Sequence, residues 1–307
     1  MSAISKYLTV RAAIKKFQEH VKKGSPTTVI YDLFGQILHG VPKVAMTLGT
    51  GVQLYRCRIH EKGALFDHVN QLKYAPAERV RSRGRFNEVG ESIFYCSNTE
   101  LGTLVELDPK LELIYAIAVV QQKVGAPVPQ IIRFRHANND DLQQEIPLEK
   151  QSPHHRMVNQ FLMDELSRPG SEHGYSGTIA IGRHLFTKEL VIKGEQGLVP
   201  YVGHQRLAIT YPSVKAPLYT NVATYNVAMH PNTFDECFEI SAVELYSMTF
   251  DTKANLLRLT SHNTATVEAD GALAWAHSYE VMLDRTSRGL HGNGVFDENL
   301  KVVASYL

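Results

Sequence analysis

Between Ser92 and Glu106 the chain changes its period once, and no other stretch restricts its folding as tightly. In Ser92-Ile93-Phe94-Tyr95-Cys96 an extended backbone sends Phe94 and Cys96 to one face and Ile93 and Tyr95 to the other. From Leu101 the apolar residues recur instead at i, i+3 and i+4, through Leu104 and Val105, which is the stripe of a helix. Ser97-Asn98-Thr99-Glu100 stands at the change and fits a capping box, with Ser97 as the predicted N-cap and Glu100 reaching back to its amide. Pro109 ends the helix. On this wheel Glu106 projects with Thr99 and Thr103 away from the stripe, the position of a solvated residue. The stretch therefore calls for a strand running into a short helix.

Other elements follow from coarser patterns. Val10, Ile14, Phe17 and Val21 predict an amphipathic helix over 9–23, ended by Gly24-Ser25-Pro26, and a second apolar stretch occupies 28–38. Strand character is found at 52–59, 131–134, 206–214 and 236–250, and helical character at 155–166 and 178–185. The tail beyond Asp251 offers strand-like pieces, LLRLT, ATVEA and YEVMLD, separated by Asn, Gly and Asp. Residues 126–153, rich in Pro, Asn, Asp and Gln, read as an insertion rather than a domain boundary.

A chain of 307 residues can bury a substantial core, and its net charge of +1 gives no bulk attraction to nucleic acid or to an anionic membrane. Anions must be bound by local clusters. Cys57, Cys96 and Cys237 are widely spaced without a CxxC pair, which fits a reducing compartment. The N-terminal MSAISKYLTVRAAIKKFQEHVKKG breaks its apolar residues with charges, so neither a signal peptide nor a membrane span is expected there, and a cytoplasmic location is. The histidines show no HExxH or Cys/His ligand spacing, and no metal site is expected. HGNG at 291–294 reads as a turn, and GYSGT at 174–178 lacks the second glycine of a nucleophile elbow.

Arg79, Arg81, Arg83 and Arg85 recur every second residue, which in an extended chain aligns four guanidinium groups on one side. Such a row spans about 20 Å, too long for one diphosphate, and Gly84 is placed to bend it. Spacing alone leaves two readings open: a solvated edge strand protected by charge, and the wall of an anion-binding pocket.

Taken in order, LYRCR at 54–58, RGRFN at 83–87 followed by Gly90, Tyr95 and Glu106, ITYPSV at 209–214 and NVAM at 226–229 resemble the successive motifs of the RES domain. Arg83 and Phe86 stand where that family has the first glycine and the tryptophan of Gly-Gly-Arg-Trp-Asn, and typical members are shorter. The resemblance implies an α+β fold with an ADP-ribosyltransferase-like split-sheet core over 50–250. A helical N-terminal extension (1–49) and a β-rich C-terminal extension (251–307) would flank it. It also implies NAD as substrate, cleaved at the nicotinamide–ribosyl bond with water or inorganic phosphate as acceptor, and a neutralising antitoxin or immunity protein as partner. By position Glu106, Arg85, Tyr95 and Ser213 would serve catalysis, and Arg56, Arg83, Asn87 and Asn226 would bind substrate. Arginine suits a pyrophosphate through its planar fork, tyrosine a pyridinium through its ring, and a carboxylate the positive charge that develops on ribose. Two other functions stay open: ADP-ribosyl transfer to a macromolecule recognised through 126–153, and a RES-like module that binds nucleotide or a partner without turnover.

Overall fold

The computed structural model describes residues 3–39, 44–49, 51–60, 65–111, 113–133, 152–168, 175–187, 190–194, 197–201, 206–218, 223–251, 256–277, 287–291, 294–296 and 302–305. Its helices are α1 (Ala3–Lys22), α2 (Thr27–Ile37), α3 (Glu100–Val105), α4 (Pro153–Leu166), α5 (Tyr175–Thr187) and α6 (Pro231–Cys237). The strands of the large sheet begin with β1 (Val44–Thr47), β2 (Leu54–His60), β3 (Phe94–Ser97), β4 (Ile114–Gln122), β5 (Gln130–Arg133) and β6 (Leu190–Gly194). They continue with β7 (Gly197–Tyr201), β8 (Leu207–Pro212), β9 (Tyr225–Met229), β10 (Phe238–Asp251), β11 (Leu256–Val267) and β12 (Leu273–Trp275).

The sheet runs β12-β11-β10-β4-β2-β3-β9-β8-β5-β1-β6-β7, and β13 (Ser287–His291) adds to β11. A separate hairpin joins β14 (Gly294–Phe296) to β15 (Val302–Ser305). Among the described residues only the β1–β6 and β5–β8 pairings are parallel. The fold is thus mixed, with helices packed on a mostly antiparallel sheet. β1 before residue 50 and β11 after residue 250 are strands of the same sheet as the middle of the chain.

Alternation in the central strands separates three apolar clusters. On one face Tyr95, Ile209, Tyr211 and Ala228 meet Phe17, Phe34, Phe161 and Ile181 from α1, α2, α4 and α5. On the same face, farther along, α3 lays Leu101, Leu104 and Val105 against Cys57, Tyr115 and Ile117. The reverse face carries Phe94, Cys96, Val227 and Met229, covered by Leu72 and by Phe234 of α6, whose ring centroid lies 4.1 Å from that of Phe94. The polar residues considered next lie between the first two clusters, where β3 and β8 end and β9 begins.

Several expectations need correction. The alternating arginines are not a strand: Arg79 ends a 3-10 turn, and Gly84 to Asn87 form a tight turn closed by a bridge between its ends. α3 is capped by Thr99, not Ser97, and begins at Glu100. The stretch 236–250 splits into the end of α6 and β10. LLRLT and the first three residues of ATVEA belong to one strand, β11, with a bulge where Leu245 and Tyr246 face Asn263 and Ser261. YEVMLD, most of the 126–153 insertion and the centre of HGNG lie outside the described residues.

Candidate functional site

α3 aims Glu106. Its N-cap Thr99 accepts from the Gly102 amide at 3.0 Å, and a Cβ at Gly102 would collide with Ser97 Oγ and Thr224, so the first turn sits directly on β3 and the start of β9. The Cys57 amide donates to Thr103 Oγ1 at 2.9 Å, which buries the side of α3 that the wheel assigns to solvent. Glu106 follows the last helical residue, half-buried, and one of its oxygens is clamped. Oε1 accepts from Ser213 Oγ at 2.7 Å and from Asn226 Nδ2 at 2.8 Å. Oε2 bonds to none of the described residues. Both donors are buried, and Ser213 Oγ also accepts from the Ala216 amide at 3.1 Å, which leaves its own proton for Glu106. Ser213 thereby holds the carboxylate in place. Lys215 straps the same turn, donating to the Glu106 carbonyl at 3.1 Å and to Asp108 Oδ1 at 2.6 Å.

A second group presents Arg85. The Gly84 amide donates to the Asn87 carbonyl at 3.0 Å, and a Cβ at Gly84 would collide with Asn87 Oδ1, so the turn requires glycine there. Tyr95 Oη accepts from the Phe86 amide at 2.8 Å and donates to Asn87 Oδ1 at 2.9 Å. Tyr95 and Asn87 thus build the turn. Arg85 leaves it toward the C-terminal end of α4, where Nη1 donates to the Leu166 carbonyl at 2.9 Å. Nη1 and Nη2 share the Arg168 carbonyl at 3.2 Å each. The guanidinium carbon lies 5.4 Å from the Tyr211 ring centre and 6.0 Å from that of Tyr175. Three of its five N–H groups are thereby used. The remaining Nε–H and Nη2–H lie on one edge and engage no described residue.

Tyr211 links the groups. Burial pushes its phenol well up, the Arg85 guanidinium opposes that shift, and Tyr95 and Glu106 add to it. It precedes Ser213 by two residues on β8 and pairs in register with Asn226.

Arg56 and Arg83 lie elsewhere. Arg56 projects from the reverse face, donating to the Leu72 carbonyl at 2.8 Å and to the Tyr95 carbonyl at 2.7 Å, with its guanidinium 5.1 Å from the Phe94 ring centre. Burial, with the neighbouring charge of Arg58, lowers its pKa to about 10, so it stays charged at neutral pH as an internal brace. Beside it, burial pushes the Cys96 thiol up to about 12 and the Cys57 thiol higher still, which keeps both as inert thiols. Arg83 pairs with Glu88 at 2.6 Å, and Glu88 also accepts from Thr27 Oγ1 of α2 at 2.6 Å. Of the residues singled out in the sequence, Glu106, Ser213 and Asn226 meet directly, and Arg85, Tyr95 and Asn87 form the adjoining group. Tyr175, Tyr211 and Lys215 were not singled out; only Tyr211 carried a signal, its alternation with Ser213.

Comparison of the chain with protein-family models, with curated proteins and with solved structures returns no match. Among the described residues no group of three or more His, Cys, Asp or Glu side chains is placed to hold a metal ion. No helix among them is long and apolar enough to cross a membrane.

Proposed function

We propose that the chain cleaves the bond between nicotinamide and ribose in NAD, on a core of the ADP-ribosyltransferase-like split-sheet type found in RES domains. The observation that carries this reading is the Glu106 carboxylate, with one oxygen clamped by Ser213 and Asn226 and the other unengaged by any described residue. A carboxylate fixed in this way is preorganised for charge that appears only in the transition state. As the glycosidic bond breaks, its electron pair passes to the pyridine nitrogen, nicotinamide leaves neutral, and the ribose carbon takes up positive charge beside Oε2. Water then adds to give ADP-ribose and a proton, or inorganic phosphate adds to give the 1″-phosphate of ADP-ribose.

Arg85 supports the same reading. Its unengaged Nε and Nη2 donors are parallel, the arrangement that grips two oxygens of a phosphate or pyrophosphate. Tyr95 contributes chiefly by holding the turn that carries Arg85. Arg56 acts behind the sheet, through the Tyr95 backbone, and not on substrate. Loss of NAD would poison the host cell, and an antitoxin or immunity protein that covers this site is the expected partner.

The test is to incubate the purified chain with NAD, with and without phosphate, and to follow nicotinamide, ADP-ribose and its 1″-phosphate. Release of nicotinamide with either second product is expected. Label transferred from NAD to protein would point to a macromolecular acceptor instead, and intact NAD under both conditions would overturn the reading.

A further inference from the structure

We infer that Tyr211 is a substrate-binding residue whose phenol hydroxyl donates to the phosphoribosyl segment lying between the Arg85 edge and the Glu106 carboxylate. The inference rests on the NAD reading and adds to it a contact that links its two halves. Three observations carry it. Tyr211 occupies the ground between the two groups: its ring lies under Arg85, and its register partner Asn226 clamps Glu106. The ring itself is fixed, 5% exposed, with Phe86 meeting it edge-on at 5.2 Å and 77°. Its hydroxyl, by contrast, bonds to no described residue.

A buried tyrosine ordinarily finds a hydrogen-bond partner for its hydroxyl, and a position that needed only an aromatic ring would be filled equally well by phenylalanine. The phenol is pushed well above its usual range by burial, so it offers a proton at any physiological pH. In NAD the 5″ carbon of the nicotinamide ribose carries the pyrophosphate. A molecule that puts its pyrophosphate on the Arg85 edge and that ribose on Glu106 must therefore lay the joining segment across Tyr211, where ester and ribose oxygens can accept.

Tyr211→Phe tests this, since it keeps the ring, the packing on Phe86 and the contact with Arg85 and removes only the hydroxyl. KM for NAD and, by calorimetry, Kd for ADP-ribose should each rise about tenfold, near the upper end for one hydrogen bond, while kcat changes less. KM does not depend on the folded fraction, so partial unfolding of the variant would not hide the effect. Unchanged KM and Kd in the variant would overturn the inference and leave the proposed reaction standing. Wild-type protein that neither cleaves NAD nor binds ADP-ribose would overturn both.

Discussion

Glutamine matches the outline of glutamate, so Glu106→Gln can keep its oxygen between Ser213 and Asn226 and lose only the charge facing substrate. Thermal stability should hold, and NAD consumption should fall by at least about a hundredfold; both are measured on one preparation. Tyr95→Phe makes the opposite case. Read from alternation alone, Tyr95 is a ring on an open face, but its hydroxyl serves the Phe86 amide and Asn87 Oδ1, and removing it leaves two buried groups without a partner. A loss of about 1 to 3 kcal/mol in denaturant unfolding is expected. The face of Tyr95 was legible because period two is local; its partner was not, because Asn87 returns to it through a turn that no periodicity marks. Glu88 supplies the pH dependence. Burial raises its carboxyl, but bonds from Thr27 and Arg83 and the charges of Arg83 and Arg183 outweigh this and leave it below 4.5. A depressed folded-state value stabilises above the unfolded value and is lost as pH falls through the folded one. The stability difference between wild type and Glu88→Gln should therefore be full at neutral pH and shrink as pH falls below about 4.5.

Among the elements, α3 shows why a capping motif is ambiguous. Ser97 and Thr99 are equally able to cap, and local sequence favours Ser97 with Glu100; what decides is the sheet, which keeps Ser97 as the last residue of β3, its Oγ donating to the Tyr225 carbonyl at 3.0 Å, and leaves the cap to Thr99. Thr99→Ala should cost about 1 kcal/mol of stability, read from denaturant midpoints, and should impair NAD turnover in the folded fraction because α3 aims Glu106. The resemblance to RES motifs supplied Glu106, Ser213 and Asn226 as positions, while their contact depends on β9 and β8 lying side by side. β4 escaped notice for another reason: Tyr115, Ala116, Ile117, Ala118 and Val120 are all buried, so the strand is covered on both faces and does not alternate. At α4 the carbonyls of its C-terminal end attract the Arg85 guanidinium, as a helix end attracts any cation. A lysine cannot hold those carbonyls and also present two parallel donors, so Arg85→Lys should raise KM for NAD tenfold or more.

Over the whole molecule one sheet passes through regions that the sequence suggested treating as separate. From Ala242 to Asp251, β10 pairs continuously with β11 apart from one bulge, and β12 returns to the segment at 66–73 through the Trp275 Nε1 bond to the Phe66 carbonyl at 2.6 Å. Truncation after residue 250 would strip β10 along that length and leave an open apolar edge, so the shortened chain should appear in the insoluble fraction, scored by expression and centrifugation. The pieces LLRLT and ATVEA looked separate because Ser261, His262, Asn263 and Thr264 between them are turn-forming residues; a long partner strand keeps them extended. The spread of the carboxylate clamp along the chain also sets a timetable. Ser213 follows Glu106 by 107 residues and Asn226 follows it by 120, so at translation rates of roughly 5–20 residues per second the acid is made on the order of ten seconds before its two donors. A growing polypeptide passes that interval with its carboxylate unclamped, and one interrupted before Asn226 never completes the clamp.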